Sequence, residues 1–201
     1  MRIGIDFDNT IVSYDQVFYR VAVEQGLVPD TVMKTKLKVR DWLREAGREN
    51  EWTELQGYVY GTRMDDAETY PGVKRFLAWA RGEGIATSII SHKTKHPFMG
   101  PKYDLHEAAR GFVRIALVDD EGPLVPEDNV FFETTKDAKW ARIASTNTTH
   151  FIDDLPEILL NEAFPAEAVR MLFDPDNHHS CSEADVYVVH SWREVHQYFS
   201  K

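Results

Sequence analysis

Short apolar segments alternate with helical patterns along most of the chain, and this alternation limits the possible folds more than any other feature. Helical patterns begin near Pro71, Lys136 and Pro156. The apolar segments have the composition of buried strands and cover residues 2–7, 85–90, 129–132, 150–152, 169–173 and 186–189. Strands that alternate with helices form a parallel sheet with helices on both faces. The sequence therefore predicts an α/β fold, a doubly wound, Rossmann-like parallel sheet.

A helical block interrupts this alternation near the start of the chain. Between residues 14 and 68 the apolar residues follow helical spacing, and no strand pattern separates them. We interpret the block as an inserted helical cap. Residues 1–13 and 69–201 are then expected to form the α/β core.

Composition excludes several classes of function. A formal net charge of -10 disfavours broad contact with nucleic acid, and no apolar run is long enough for a membrane span. Cys181 is the only cysteine, which excludes an internal disulfide and a thiolate metal cluster, so we interpret it as structural. The first residues resemble neither a secretory signal nor a transit peptide. We expect a cytoplasmic protein whose partner is a small molecule, and the sequence leaves the oligomeric state open.

Polar residues follow the strands at the points where they are expected to end. Any one of them fits a loop or a helix cap. Together they are more informative, because the carboxyl ends of parallel strands meet at one edge of the sheet and clustered carboxylates there need a cation. Oxygen ligands without nearby histidine or cysteine favour Mg²⁺. The set comprises Asp6, Asp8, Ser91, a lysine at 136 or 139, Asp153 and Asp154.

The same residues carry a resemblance to a known family. Asp6-Phe7-Asp8-Asn9-Thr10 resembles the Asp-x-Asp-Gly/Asn-Thr signature of the haloacid dehalogenase superfamily. Ser91 resembles its second motif, Lys136 or Lys139 its third, and Phe151-Ile152-Asp153-Asp154 its acidic fourth. The four elements follow the order that the family shows and span almost the whole chain, so the resemblance implies the fold and chemistry of that family.

The resemblance implies a role for each matched residue. Asp6 would be the nucleophile that forms an aspartyl-phosphate, and Asp8 the general acid and base. Asp6, Asp8, Asp153 and Asp154 would hold Mg²⁺, with Asp8 contributing its backbone carbonyl. Ser91 and the lysine would bind the phosphoryl group, and Thr10 would orient the loop. Because family members that dehalogenate carbon substrates lack an acid at the place of Asp8, its presence favours phosphoryl transfer.

The lysine of the third motif has two candidates. Lys136 opens its helix at a spacing that matches the apolar stripe of Trp140, Ile143 and Ala144, so it is the preferred catalytic lysine. Lys139 lies almost a turn further along and is kept as a substrate-binding candidate.

The residues after Ser91 suggest what the substrate is like. His92 and Lys93 lie beside the expected phosphate site and would suit a small acidic substrate. The sequence thus predicts a Mg²⁺-dependent phosphomonoester hydrolase that acts on a small phosphorylated metabolite. A phosphomutase of the same fold, a catalytically silent ligand-binding protein and, less well supported, a phosphorylatable receiver domain remain alternatives.

Overall fold

The computed structural model describes residues 1–179 and 185–201, so Cys181 lies outside the described residues. The chain divides into two compact units. The α/β unit comprises Met1–Val12, Thr69–Lys93 and Leu117–Lys201, and the helical unit comprises Ser13–Glu68 and Thr94–Ala116. Within the described part of the chain, no helix is both long and apolar enough to cross a membrane.

The described residues of the two units form ten strands and eight α-helices. The strands are β1 Arg2–Ile5, β2 Val12–Ser13, β3 Glu68–Thr69, β4 Ala86–His92, β5 Val118–Asp119, β6 Gly122–Pro123, β7 Val130–Glu133, β8 His150–Asp153, β9 Val169–Phe173 and β10 Val186–Val189. The helices are α1 Asp15–Glu24, α2 Lys36–Glu45, α3 Glu49–Thr62, α4 Val73–Gly82, α5 Leu105–Ala116, α6 Lys136–Ser145, α7 Pro156–Leu159 and α8 Trp192–Phe199.

Six strands form one sheet in the order β10-β9-β8-β1-β4-β7, and every neighbouring pair is parallel. The prediction of a doubly wound parallel sheet is therefore confirmed. β1 lies at the centre of the sheet, between β8 and β4. The strand ends differ by one or two residues from those expected, because β4 continues through His92 and β8 includes Asp153.

Both faces of the central strands are covered. Trp140 and Ile143 of α6 pack with Phe151 of β8 in one apolar cluster. The ring of Trp192 from α8 packs against Phe76 of α4, with ring centroids 5.2 Å apart. Burial of such large apolar side chains contributes about 1.5–3 kcal/mol each to folding.

Gly4 shows how tightly the sheet is packed. A Cβ atom built on Gly4 would lie 2.6 Å from the ring of Phe151 on the neighbouring strand. Real Cβ atoms do not approach a carbon so closely, so the ring occupies the space that a side chain at this position needs. Glycine at position 4 therefore lets the central strand pair with β8.

The helical unit includes residues 94–116 in addition to the block expected from the sequence. The sequence analysis places those residues in the α/β core. They pack against α3 instead, because a Cβ atom on Gly57 would lie 2.7 Å from Pro97 and one on Gly61 would lie 2.5 Å from Tyr103. The two glycines thus leave room for the segment before α5.

Candidate active site

The loop after β1 places two carboxylates at the carboxyl end of the central strand. Asp6 is the first residue beyond β1, and its backbone N–H donates to the carbonyl of Ile152 at 2.8 Å. Phe7 is fully buried and packs edge-on against Phe132, with ring centroids 5.2 Å apart. Asn9 adopts a φ of 58°, a left-handed conformation that asparagine tolerates better than most residues. This turn returns the chain to the sheet edge and leaves Asp6 buried and Asp8 partly exposed.

Lys139 joins the ends of β1 and β8. Its Nζ atom lies 2.5 Å from Oδ1 of Asp6 and 2.6 Å from Oδ2 of Asp153. All three side chains are almost fully buried. Charge-assisted hydrogen bonds of this length are strong in a buried setting and fix both carboxylates relative to the lysine.

The position of Lys139 corrects the preference for Lys136 as the lysine of the site. Lys136 is exposed and its Nζ atom bonds Glu157 at 2.8 Å. Side chains of a helix tilt toward its N-terminus, so a long side chain one turn inside α6 reaches back to the sheet edge, whereas one at the first position projects beyond it. Lys139 also lies four residues before the fully buried Ile143, which places both on the inward face of α6.

The charges of this cluster do not balance. Burial raises the pKa of Asp6 to about 7, and the carboxylates of Asp153 and Asp8 add to the rise while Lys139 opposes it. Burial alone would lower the pKa of Lys139, but Asp153 and Asp6 outweigh burial and raise it above its ordinary value. One lysine cation thus pairs with two buried carboxylates. The excess negative charge favours either a proton or a further cation.

The same carboxylates have the geometry of a hard-metal site. Asp6, Asp153 and Asp154 each offer one oxygen atom, and these atoms lie within 4.8 Å of one another. Oδ2 of Asp154 accepts a hydrogen bond from Nδ2 of Asn9 at 3.2 Å, and Oδ1 of Asp153 accepts one from the N–H of Leu155 at 2.9 Å. An all-oxygen set with hydrogen-bonded carboxylates fits Mg²⁺, which is usually held by a few carboxylates together with substrate oxygens.

Lys93 lies against Asp8. Its Nζ atom is 2.7 Å from one carboxylate oxygen of Asp8 and 2.9 Å from the other. The Lys93 side chain is buried, and its backbone N–H donates to the carbonyl of Glu133 at 2.8 Å, which continues the pairing of β4 with β7. From the sequence, Lys93 is expected to bind substrate. In the structure its Nζ atom contacts both oxygens of the Asp8 carboxylate.

Ser91 and His92 lie in the last part of β4. Ile5 pairs with Ile89, so Ser91 is two residues beyond that pair and Asp6 one residue beyond it, at the same edge of the sheet. Ser91 is buried. Burial lowers the pKa of His92 below its usual range, against a hydrogen bond with the backbone of Thr134 that raises it. The charges of Lys139 and Lys136 lower this pKa further, and that of Asp8 raises it. His92 is therefore neutral at pH 7.

Thr10 is fully buried beneath the loop. Its Oγ1 atom has no hydrogen-bond partner among the described residues. Its carbonyl oxygen accepts a hydrogen bond at 2.9 Å from Nε1 of Trp192, the first residue of α8. Thr10 therefore links the loop that carries Asp6 and Asp8 to α8.

Two residues that support the candidate site were not predicted from the sequence. Asn9 supports Asp154, and Trp192 supports the loop through Thr10. Asn9 could have been found from its place in the turn directly after Asp6 and Asp8, because asparagine supplies an amide donor in a left-handed turn. Trp192 is 182 residues away from Thr10 in sequence, and its apolar spacing in α8 indicates only a core residue.

Comparisons with known proteins give structural matches only. No protein-family model and no curated protein sequence matches the chain. A haloacid dehalogenase-like hydrolase from Streptococcus pneumoniae superposes with a TM-score of 0.60 at 14% identity, over 98% of this chain and 97% of that one. A predicted phosphoglycolate phosphatase from Haemophilus somnus has a TM-score of 0.57 at 13% identity, over 100% and 97% of the two chains. A HAD family hydrolase from Deinococcus radiodurans with bound phosphate and sodium has a TM-score of 0.59 at 13% identity, over 99% and 94%.

These similarities extend over nearly the whole length of each chain. They show that the chain shares the fold of these solved structures. The protein has the fold of the haloacid dehalogenase superfamily.

Proposed function

We propose that the protein is a Mg²⁺-dependent phosphomonoester hydrolase that acts on a small phosphorylated metabolite through an aspartyl-phosphate intermediate. The observation that carries this proposal is the buried position of Lys139 between Asp6 and Asp153, with Asp154 close enough to share a cation. A nucleophilic carboxylate needs positive charge around it before it can approach an anionic phosphate.

Asp6 and Asp8 divide the reaction into two transfers. An oxygen of Asp6 attacks phosphorus, and the bond between phosphorus and the leaving alcohol breaks as Asp8 donates a proton to that alcohol. Asp8 then accepts a proton from water as the water attacks phosphorus and the bond to Asp6 breaks. Inorganic phosphate is released, and both carboxylates return to their initial state. Mg²⁺, held by Asp6, Asp153, Asp154 and the backbone carbonyl of Asp8, would neutralise the charge between nucleophile and phosphate.

The remaining side chains of the site suit a phosphoryl group. Lys139 stabilises charge on Asp6 and on the phosphate, and the Ser91 hydroxyl donates to a phosphoryl oxygen. A neutral His92 at the end of β4 can donate one hydrogen bond to an anion without adding charge. The bound phosphate in the Deinococcus radiodurans protein and the description of the Haemophilus somnus protein as a predicted phosphoglycolate phosphatase support a small phosphorylated substrate.

The proposal is tested by phosphate release from a panel of phosphorylated metabolites, measured with Mg²⁺ and with EDTA. We expect turnover that requires the metal and is lost in Asp6→Asn. Asp30→Asn is the matched control, because Asp30 is an exposed carboxylate outside the site, and it should retain full activity. Transfer of phosphate to a second position of the same metabolite, without free phosphate, would instead indicate a phosphomutase. Equal background release by the native chain and Asp6→Asn on every substrate would contradict enzymatic activity at this site.

A further inference from the structure

A cavity separate from the candidate active site lies in the α/β unit where the first turns of α4 and α8 come together. Its volume is about 690 Å³, which is in the range of sites for small molecules. Its polar lining comes from Arg75, Ser191, Arg193, His196 and Gln197, with Trp192 forming part of the wall. Among the described residues, none that lines this cavity carries a carboxylate. The chain has 33 acidic and 23 basic residues, so two arginines without a described acid in one cavity are a local excess of positive charge.

The two arginines differ from most others in the protein. Arg48, Arg63 and Arg81 each form hydrogen-bonded ion pairs with nearby carboxylates. Among the residues that the structure describes, Arg75 and Arg193 have no ion pair and no side-chain hydrogen bond. Both guanidinium groups are exposed, so their donors are available to a ligand. Guanidinium groups bind carboxylate and phosphate oxygens through paired hydrogen bonds.

The backbone adds to this positive potential. The N-termini of α4, which begins after Gly72, and of α8, which begins after Ser191, both lie at the cavity. A helix N-terminus presents N–H groups that no residue of the helix accepts, together with the positive end of the helix dipole. The Ser191 hydroxyl accepts one of them at α8, from Glu194, and the carbonyl of Tyr70 accepts one at α4, from Val73, so the other N–H groups and the dipoles remain. The two N-termini, like the two arginines, thus make the electrostatic potential of the cavity more positive.

The cavity also has a direct connection to the loop of the candidate active site. Trp192 lines the cavity, and its indole N–H donates to the carbonyl of Thr10, two residues after Asp8. The Trp192 side chain is buried, so its ring cannot rotate freely. A ligand in the cavity would therefore lie beside the residue whose indole N–H bonds this loop.

We propose that this cavity is a binding site for a small oxyanion, a phosphorylated or dicarboxylate metabolite, separate from the carboxylate cluster around Asp6. Arg75 and Arg193 bind the anionic group from α4 and α8. Occupancy changes the surroundings of Trp192. The proposal does not depend on the proposed hydrolase activity, because none of the cavity residues takes part in the phosphoryl transfer.

The test follows the indole N–H resonance of Trp192 in the ¹⁵N-labelled full chain, assigned from its loss in Trp192→Phe. Inorganic phosphate and succinate are added separately in EDTA, at constant ionic strength made up with chloride. We expect saturable shifts with at least one of the two anions, and the tighter one identifies the class of ligand. In the double variant Arg75→Gln/Arg193→Gln the dissociation constant should rise by at least about tenfold, since two charge-assisted contacts are removed.

The control is Arg2→Gln/Lys74→Gln, which removes the same net charge from exposed positions that do not line the cavity. It should bind with the affinity of the native chain. Unchanged affinity in Arg75→Gln/Arg193→Gln would overturn the proposal, because the shift would then arise from an anion at the Asp6 cluster. Absence of saturable binding of both anions to the native chain would also overturn it. The hydrolase proposal is tested by phosphate release in Asp6→Asn, and the cavity proposal by anion binding in Arg75→Gln/Arg193→Gln. The result of one experiment does not affect the other, so the two proposals can fail separately.

Discussion

The position of Lys139 is the clearest case in which geometry at the level of one residue differs from the pattern in sequence. Thr135 caps α6 by accepting a hydrogen bond from the N–H of Ala138. This cap fixes where the helix begins, and the first residue, Lys136, then lies beyond the sheet edge. Two lysines three residues apart are equivalent as a pattern, and only the direction of the side chain along the helix distinguishes them.

Replacement of this lysine is therefore expected to have a large and specific effect. Lys139→Met should lower kcat by about 10²–10³, because the positive group beside the nucleophile is lost. Lys136→Met should change kcat by less than about twofold, because it removes only an exposed ion pair with Glu157. Steady-state kinetics on the best substrate of the panel, with circular dichroism to verify folding, makes the comparison. A larger loss in Lys136→Met than in Lys139→Met would contradict the site as described.

Lys93 provides a second test that replaces a single side chain of the site. Because both oxygens of Asp8 contact Lys93, its replacement should impair proton transfer to the leaving group. Lys93→Met is expected to lose about 10–10² in kcat on alkyl phosphates and much less on p-nitrophenyl phosphate, whose leaving group needs no proton. Lys93→Arg, which can bind both oxygens, should recover most of the loss. A raised KM with unchanged kcat on both substrates would show instead that Lys93 binds the substrate.

At the level of helices and strands, packing decides details that periodicity leaves open. The apolar runs at 169–173 and 186–189 coincide with β9 and β10. The ends of β4 and β8 were missed by one or two residues, because Ser91, His92 and Asp153 are polar yet continue the strand pairing. Polar residues at a sheet edge have the composition of a loop, and only the neighbouring strand shows that they extend the ladder.

Glycine substitutions test this packing directly. Gly4→Ala should lower the free energy of unfolding by about 1–3 kcal/mol, because the new Cβ atom would collide with the Phe151 ring. Gly111→Ala, within α5, should raise it by about 0.5–1 kcal/mol, since no atom lies within 4 Å of the added Cβ and alanine favours a helix. Urea unfolding measures both. Equal effects of the two substitutions would show that the fit between β1 and β8 is looser than described.

For the whole molecule, the sequence predicts the sheet, its carboxylate edge and the helical block, because each depends on local composition and chain order. It does not predict that residues 94–116 belong to the helical unit, since this depends on two glycines of α3 that leave space for Pro97 and Tyr103. The sequence does not predict the cavity beside Trp192 either. Its two arginines are 118 positions apart in sequence and line one cavity because α4 packs against α8.

Because negative charge is in excess at Asp6, Asp153 and Asp154, we expect a bound cation to stabilise the folded protein. Mg²⁺ at about a hundred times its dissociation constant should stabilise the folded state by about 2.7 kcal/mol, a rise of several degrees in Tm. Asp153→Asn should remove most of this rise, whereas Asp30→Asn should keep it. Differential scanning calorimetry with Mg²⁺ and with EDTA provides the comparison. An equal rise in all three proteins would indicate that the cation acts elsewhere.

Trifluoroberyllate tests whether Asp6 accepts a phosphoryl group beside a bound cation, and this test needs no knowledge of the substrate. BeF₃⁻ bonds to a carboxylate oxygen in the geometry of a phosphoryl group, and ¹⁹F NMR detects the bound form. With Mg²⁺ present, we predict bound-fluorine resonances in the native chain and in Asp30→Asn, and their absence in Asp6→Asn and in the EDTA-treated native chain. Absence of bound fluorine in the native chain, or its persistence in Asp6→Asn, would contradict the account.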